Sequence, residues 1–425
     1  MADEIILADD LIRQLISVGE VDLLVGISSQ GNALITSHAF HVIEQSFQMN
    51  FTRQRAAIIH VCGEANDKND ASPSESSDLA EMAAPMAKSL RTVHRVTANF
   101  SVPPPPAVAL HTVLTAADLL RARACAIVSP GTTELTAERV CNLLSPVFRE
   151  KFDFVSPLYT RNRFQGLLAR NLLYPMSRAL FCHGIRELYS DEWGFSGRLA
   201  STCLNQNIWH DEHIQERPEA WMGISAISND LRCCQAFLGE KSRPATAQDI
   251  VEVFRQTVGN LFWCMESRQS TWLRCGRPES VPTFGPEHEL TSEPAELDRH
   301  RIFEMFVNGV AELEPILRTI LDPETHGEIK KIVGSEESAF RFSRELWVRT
   351  LYDFAASYHH SVINRDHLVQ ALIPLYRGMT FSFLMEHCES SAGEMEEASE
   401  ALCVEFERQR PYLTEKWTAK NEVKS

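Results

Sequence analysis

The chain has 425 residues, 44% of them hydrophobic and 23% charged, which exceeds what one hydrophobic core supports and predicts two domains. Its 41 basic and 57 acidic residues give a net charge of −16, which repels phosphate backbones and anionic headgroups. Nucleic acid and membrane surfaces are thereby excluded as main partners, whereas a small anionic ligand needs only a local basic pocket.

Residues 1–20 carry Ile5, Ile12, Leu15 and Ile16 on one side and predict an amphipathic helix. The runs 21–27, 56–61, 125–128 and 152–155 are apolar and bounded by small or polar residues, the pattern of parallel strands covered on both faces. Helical stretches at 107–121 and 135–149 lie between them, and the alternation predicts a doubly wound, mainly parallel sheet. Pro103 to Pro106 is expected to stay non-helical and supplies no backbone donors. From about residue 245 the period becomes helical. Ile302 to Ile320 forms one apolar face, with a kink expected at Pro315, Trp347 to Tyr358 a second, and Leu368 to Tyr376 a third. The boundaries expected are 1–244 for the α/β part and 245–425 for a helical bundle with essentially no strand.

No apolar run approaches the ~20 residues that cross a bilayer, and Met1-Ala2-Asp3-Glu4 is acidic where a signal peptide is basic. Eleven cysteines are scattered singly apart from Cys233-Cys234, with no C-x-x-C. Neither a disulfide framework nor a zinc ribbon is indicated, and a reduced, cytoplasmic protein is expected.

Several segments, in a consistent order from about residue 20 to 417, resemble one family: the retaining glycosyltransferases that make glucosyl-3-phosphoglycerate and mannosylglycerate. They include Asp153-Phe154-Val155-Ser156-Pro157-Leu158-Tyr159-Thr160-Arg161, Tyr174-Pro175-Met176-Ser177-Arg178, Trp193-Gly194-Phe195-Ser196 and Gln235-Ala236-Phe237-Leu238-Gly239-Glu240-Lys241. Glu345-Leu346-Trp347-Val348-Arg349, Pro374-Leu375-Tyr376-Arg377-Gly378 and Arg410-Pro411-Tyr412-Leu413 extend the likeness into the helical half. The resemblance implies a GT-A fold, a sugar-nucleotide donor, a divalent metal and a small anionic acceptor such as 3-phosphoglycerate or glycerate.

In that family an Asp-x-Asp after the third strand and a later His hold the ion that neutralises the departing pyrophosphate. The matching positions here are Ser129, Gly131 and Arg243, which are expected to converge at the carboxyl ends of the strands. Gly131 offers no side chain and Arg243 is itself a cation, so no metal cofactor is expected. The donor-loop Gly-Lys-Gly is matched by Pro105-Pro106-Ala107, while Ser29 and Asn32 fit the first-strand loop and Arg243 is the remaining donor candidate. On the acceptor side Arg161, Asn171 and Arg178 are kept, and the family's aspartate before Trp193 is Glu192, the catalytic candidate if chemistry survives. Glu192 also reads as a solvated loop acid, Arg161 and Arg178 as structural ion pairs, and His210-Asp211-Glu212-His213 as an exposed polar loop.

Three functions stay open: a pseudo-glycosyltransferase with a binding or regulatory role, an active metal-independent glycosyltransferase in which Arg243 replaces the cation, or a different reaction in the same cleft. The partners these imply are a nucleotide sugar or small phosphorylated acid, and a homo-oligomer or protein partner.

Overall fold

The computed structural model describes residues 7–29, 33–63, 93–130, 135–161, 164–241, 250–287 and 297–419. Asn32, Gly131 and Arg243 therefore lie outside the described residues, and so does the expected convergence of Ser129 with Gly131 and Arg243.

The strands are β1 (Leu23–Ser29), β2 (Ala56–Gly63), β3 (Val93–Phe100), β4 (Ala124–Val128), β5 (Phe154–Thr160), β6 (Trp193–Ser196), β7 (Cys233–Glu240) and β8 (Thr283–Phe284). They form one sheet in the order β3-β2-β1-β4-β6-β5-β7-β8, and β6 alone runs antiparallel to its neighbours. The fold class is α/β, a Rossmann-like, mainly parallel sheet followed by a helical C-terminal region.

The apolar runs become strands because both of their faces are covered. Leu23, Val25 and Ile27 of β1 pack with Ala39, Ile43 and Phe47 of the helix Ala33–Asn50, while Leu24 faces the opposite core with Leu11 and Leu15 of the helix Asp9–Val18. Gly26 is required by close approach: a Cβ there would lie 2.7 Å from the Val113 methyls of the helix Pro106–Leu119. Pro106 opens that helix, correcting the non-helical expectation, because the first turn has no intrahelical use for its N–H. The amphipathic stretch forms only over Asp9–Val18 within the described residues.

The helical region departs from expectation in three places. The 302–320 stripe breaks instead of kinking, into Arg299–Glu312 and Glu314–Ile320, with Pro315 in the first turn of the second helix. Thr283–Phe284 returns to the sheet as β8, so residues 245–425 are not free of strand. Arg365–Glu386 is long and apolar enough to cross a bilayer by length and composition, yet 83% of its apolar window is buried inside the protein. A further correction concerns the cysteines. Cys182 is bonded to Cys275 across 6.0 Å between Cα atoms, joining the end of the helix Tyr174–Phe181 to the segment leading back to β8. Single spacing hides this pair because its partners are 93 residues apart.

The two regions pack intimately through the last helix, Ala392–Thr418. Its Glu400 accepts both Arg178 Nη atoms at 2.6 and 2.8 Å, and its Glu407 meets Arg178 Nε at 2.9 Å. Arg410 donates to the backbone carbonyls of Ala179 at 3.2 Å and Cys275 at 2.7 Å.

Candidate functional site

Strand order reverses between β1 and β4, and open α/β sheets bind ligands at the carboxyl ends of the strands flanking such a point. Ser29 ends β1 there, and Ser129 follows β4. Ser29 Oγ lies 2.7 Å from His60 Nε2 on neighbouring β2. Burial lowers the His60 pKa, so the neutral ring and the hydroxyl share a single hydrogen bond.

The same edge carries a denser cluster. Glu192 immediately precedes antiparallel β6, Tyr159 lies near the end of β5, and Lys241 immediately follows β7, so all three fall at one rim of the sheet. Glu192 is 2% exposed, which corrects the solvated-loop alternative. Tyr159 donates its hydroxyl to Glu192 Oε2 at 2.8 Å, and Ser190 Oγ lies 3.1 Å from the same hydroxyl. Glu192 Oε1 has no hydrogen-bond partner among the described residues. Burial raises the Glu192 pKa and Asp191 adds to the rise, against the opposing pull of the Tyr159 hydrogen bond, Arg139 and Lys241. Burial and the Glu192 charge also push the Tyr159 phenol well above its ordinary value. Lys241 Nζ sits 4.8 Å over the Tyr159 ring and 3.4 Å from Asp191 Oδ1, and Arg139 donates to the Glu240 carbonyl. A buried carboxyl whose pKa is raised, with one oxygen lacking a hydrogen-bond partner among the described residues, has unused bonding capacity at this rim.

The three acceptor-side residues separate. Arg161 stays beside this cluster, 5.7 Å over the Tyr159 ring, with Nη2 on Glu187 Oε1 at 2.8 Å and Nε without a hydrogen-bond partner among the described residues. Gly166 makes room for it, adopting φ +67° where a Cβ would fall 2.3 Å from Arg161 Nη1. Asn171 occupies a π-helical turn, Ala169–Leu173, where its carbonyl accepts from Trp347 Nε1 at 2.8 Å and its Nδ2 is buried without a hydrogen-bond partner among the described residues. Arg178 is committed to Glu400 and Glu407. His213 is not part of an exposed loop: it is half-buried, stacks on Trp263, and contacts Asp211 at 3.1 Å and Tyr358 OH at 3.0 Å. Among the described residues no three His, Cys, Asp or Glu side chains form a group that could hold a metal ion. No step is therefore assigned to one.

Tyr159, Ser190, Asp191, Lys241 and His60 were not singled out from the sequence as site residues. The signal available for Tyr159 and Lys241 was their place at the carboxyl ends of strands, within segments already read as motifs.

The fold and rim define an α/β protein with a cluster of buried polar groups at the carboxyl-end edge of its sheet. No family model matches the chain, and no curated protein matches it significantly. It is similar to the solved structure of glucosyl-3-phosphoglycerate synthase from Mycobacterium tuberculosis in complex with Mg2+ and UDP. The identity is 17%, the match covers 63% of this chain and 84% of that one, and the TM-score is 0.39. The same synthase with Mn2+, UDP-glucose and phosphoglyceric acid matches at 14% identity over 61% and 83%, TM-score 0.37. Mannosyl-3-phosphoglycerate synthase from Rubrobacter xylanophilus matches at 14% identity over 68% and 83%, TM-score 0.37.

Two of these structures hold Mg2+ or Mn2+ beside UDP or UDP-glucose, and that finding overturns the expectation of no metal cofactor. The inference from Ser129, Gly131 and Arg243 fails for a physical reason. Mg2+ keeps several waters and takes substrate phosphate oxygens with only one or two carboxylates, so three side-chain identities do not decide whether an ion is used.

Proposed function

We propose that the chain is a glycosyltransferase-like protein whose crevice binds a nucleotide sugar and a small phosphorylated acid but transfers sugar poorly, serving a binding or regulatory role. The observation that carries the binding half is the buried Glu192 carboxyl, anchored by Tyr159 through one oxygen and without a hydrogen-bond partner at the other among the described residues. The impairment is supported by Pro105 and Pro106, which cap and open the helix Pro106–Leu119 without N–H groups where a phosphate would seek them. In this reading 1–244 forms the nucleotide-sugar domain, with β8 added from the helical 245–425. Arg161 faces the acceptor, and Ser29 lines the donor side.

Calorimetric titration of the full chain with UDP-glucose and GDP-mannose, with and without Mg2+ or Mn2+, tests this together with a product assay using 3-phosphoglycerate. Saturable binding with turnover near background is expected. Efficient transfer would establish the second reading, an active hexosyltransferase, which the raised pKa of buried Glu192 favours. Absence of binding to any sugar nucleotide would sink both.

A further inference from the structure

At the other rim of the sheet, below the amino ends of β4 and β5, lies a cleft of about 430 Å³. Four of its lining side chains are cationic, Arg121, Arg123, Lys151 and Arg198, against two acids, Asp118 and Asp153. In a protein of net charge −16 this is a local reversal of sign. We infer that the cleft is a second anion site, taking a small multivalent anion such as a phosphorylated metabolite, separate from the crevice at the carboxyl ends.

The two acids do not neutralise the cations by direct pairing. Asp118 Oδ1 accepts the Ser201 hydroxyl at 2.5 Å. Asp153 accepts the Ser196 hydroxyl at 2.8 Å and the Arg232 backbone N–H at 3.1 Å. Arg198 is exposed and its guanidinium has no hydrogen-bond or ion partner among the described residues. Lys151 donates to the Phe148 carbonyl at 2.7 Å and lies over that ring, with no carboxylate partner. Arg121 meets Glu20 at 2.9 Å and Arg123 meets Asp22 at 3.3 Å, both through partly or fully exposed side chains. Such pairs are weak, and a phosphate that offers several oxygens to guanidinium forks competes with them. The apolar wall of Val147, Phe148 and Ala122 lowers the local dielectric and strengthens that attraction. β4 separates this cleft from the crevice: its five residues span roughly 16 Å at about 3.3 Å per residue. The helices Pro106–Leu119 and Ala137–Glu150 terminate here, and the cations also offset the partial negative charge of their carboxyl ends.

The test is a titration of the full chain with inorganic pyrophosphate at about 0.1 M ionic strength, where diffuse attraction is largely screened. Saturable binding is expected, weakened about tenfold or more by Arg198→Gln with Lys151→Gln, since each contact is charge-assisted. Exposed Lys330→Gln with Lys331→Gln on a distant helix should leave it unchanged. Arg198→Gln alone keeps the test valid should the double variant fail to fold, with a smaller weakening expected. The inference is overturned by absence of saturable binding, by equal loss in the Lys330/Lys331 variant, or by simple competition between pyrophosphate and UDP-glucose, which would place the anion in the crevice.

Discussion

Arg161 and Arg178 belong to the same set of retained motif residues, yet the molecule uses them differently. At the interface between the α/β and helical regions, Arg178 donates two hydrogen bonds to Glu400 and forms an ion pair with Glu407, and its pKa is raised by the Glu400 hydrogen bonds. At the rim of the sheet, Arg161 meets one carboxylate, Glu187, and its Nε has no hydrogen-bond partner among the described residues. The contrast lies in charge: two carboxylates hold Arg178 in the interface, whereas one meets Arg161 and a donor is left over. Motif retention alone cannot draw that distinction; the partner of each atom does.

The largest expected effect probes the cohesive side. Trp347 is fully buried and donates to the Asn171 carbonyl, so Trp347→Ala should cost about 3–5 kcal/mol by denaturant unfolding. Arg178→Met should cost about 1–2 kcal/mol, a reduced figure because Glu400 is half exposed and screened. Its affinity for sugar nucleotide should stay within twofold or so of wild type at a temperature where both are folded. A protein of unchanged melting temperature that no longer binds ligand would break the comparison and return Arg178 to the acceptor site.

Glu192→Gln should abolish ligand-dependent behaviour while leaving stability near pH 4 within about 0.5 kcal/mol, since the amide is isosteric and still accepts from Tyr159. The pH dependence has a definite sign. Burial raises this carboxyl in the folded protein, so its stabilising contribution is fully present below its ordinary value of 4.5 and is lost as pH rises through the folded pKa. Wild type should therefore lose stability relative to Glu192→Gln on going from pH 4 to 7. An unchanged difference between the two unfolding free energies across that range would show a solvated carboxylate. The smallest effect concerns His60, whose pKa burial lowers from 6.5. Its contribution is present above 6.5 and is lost as pH falls through the lower folded value, the opposite slope, and His60→Gln should flatten that acid limb by less than about 1 kcal/mol.

The buried centre of the sheet was legible because its strands are apolar on both faces, as at 21–27 and 125–128. Val93–Phe100 was not, because β3 is an edge strand whose residues alternate between buried and exposed, with His94, Arg95, Thr97 and Asn99 interrupting the apolar run. β6 and β8 are four and two residues long, too short for a period to register. For the site, the sequence marked Glu192 and Arg161 through their motif. That Tyr159 holds Glu192, and that Glu400 and Glu407 claim Arg178, are facts of chain folding, the latter two across more than two hundred residues.

Those separations set an order of events during synthesis. Arg178 emerges from the ribosome more than two hundred residues before Glu400, and Arg410 closes on Ala179 across 231. The α/β region can form its sheet early, but the helix Tyr174–Phe181 and the neighbouring π-turn wait for the last helix to deliver their counter-charges and packing. A message terminated shortly before codon 392 would thus release a chain whose sheet is assembled and whose inter-region contact is unfinished, with a part-buried guanidinium and no carboxylates to meet it.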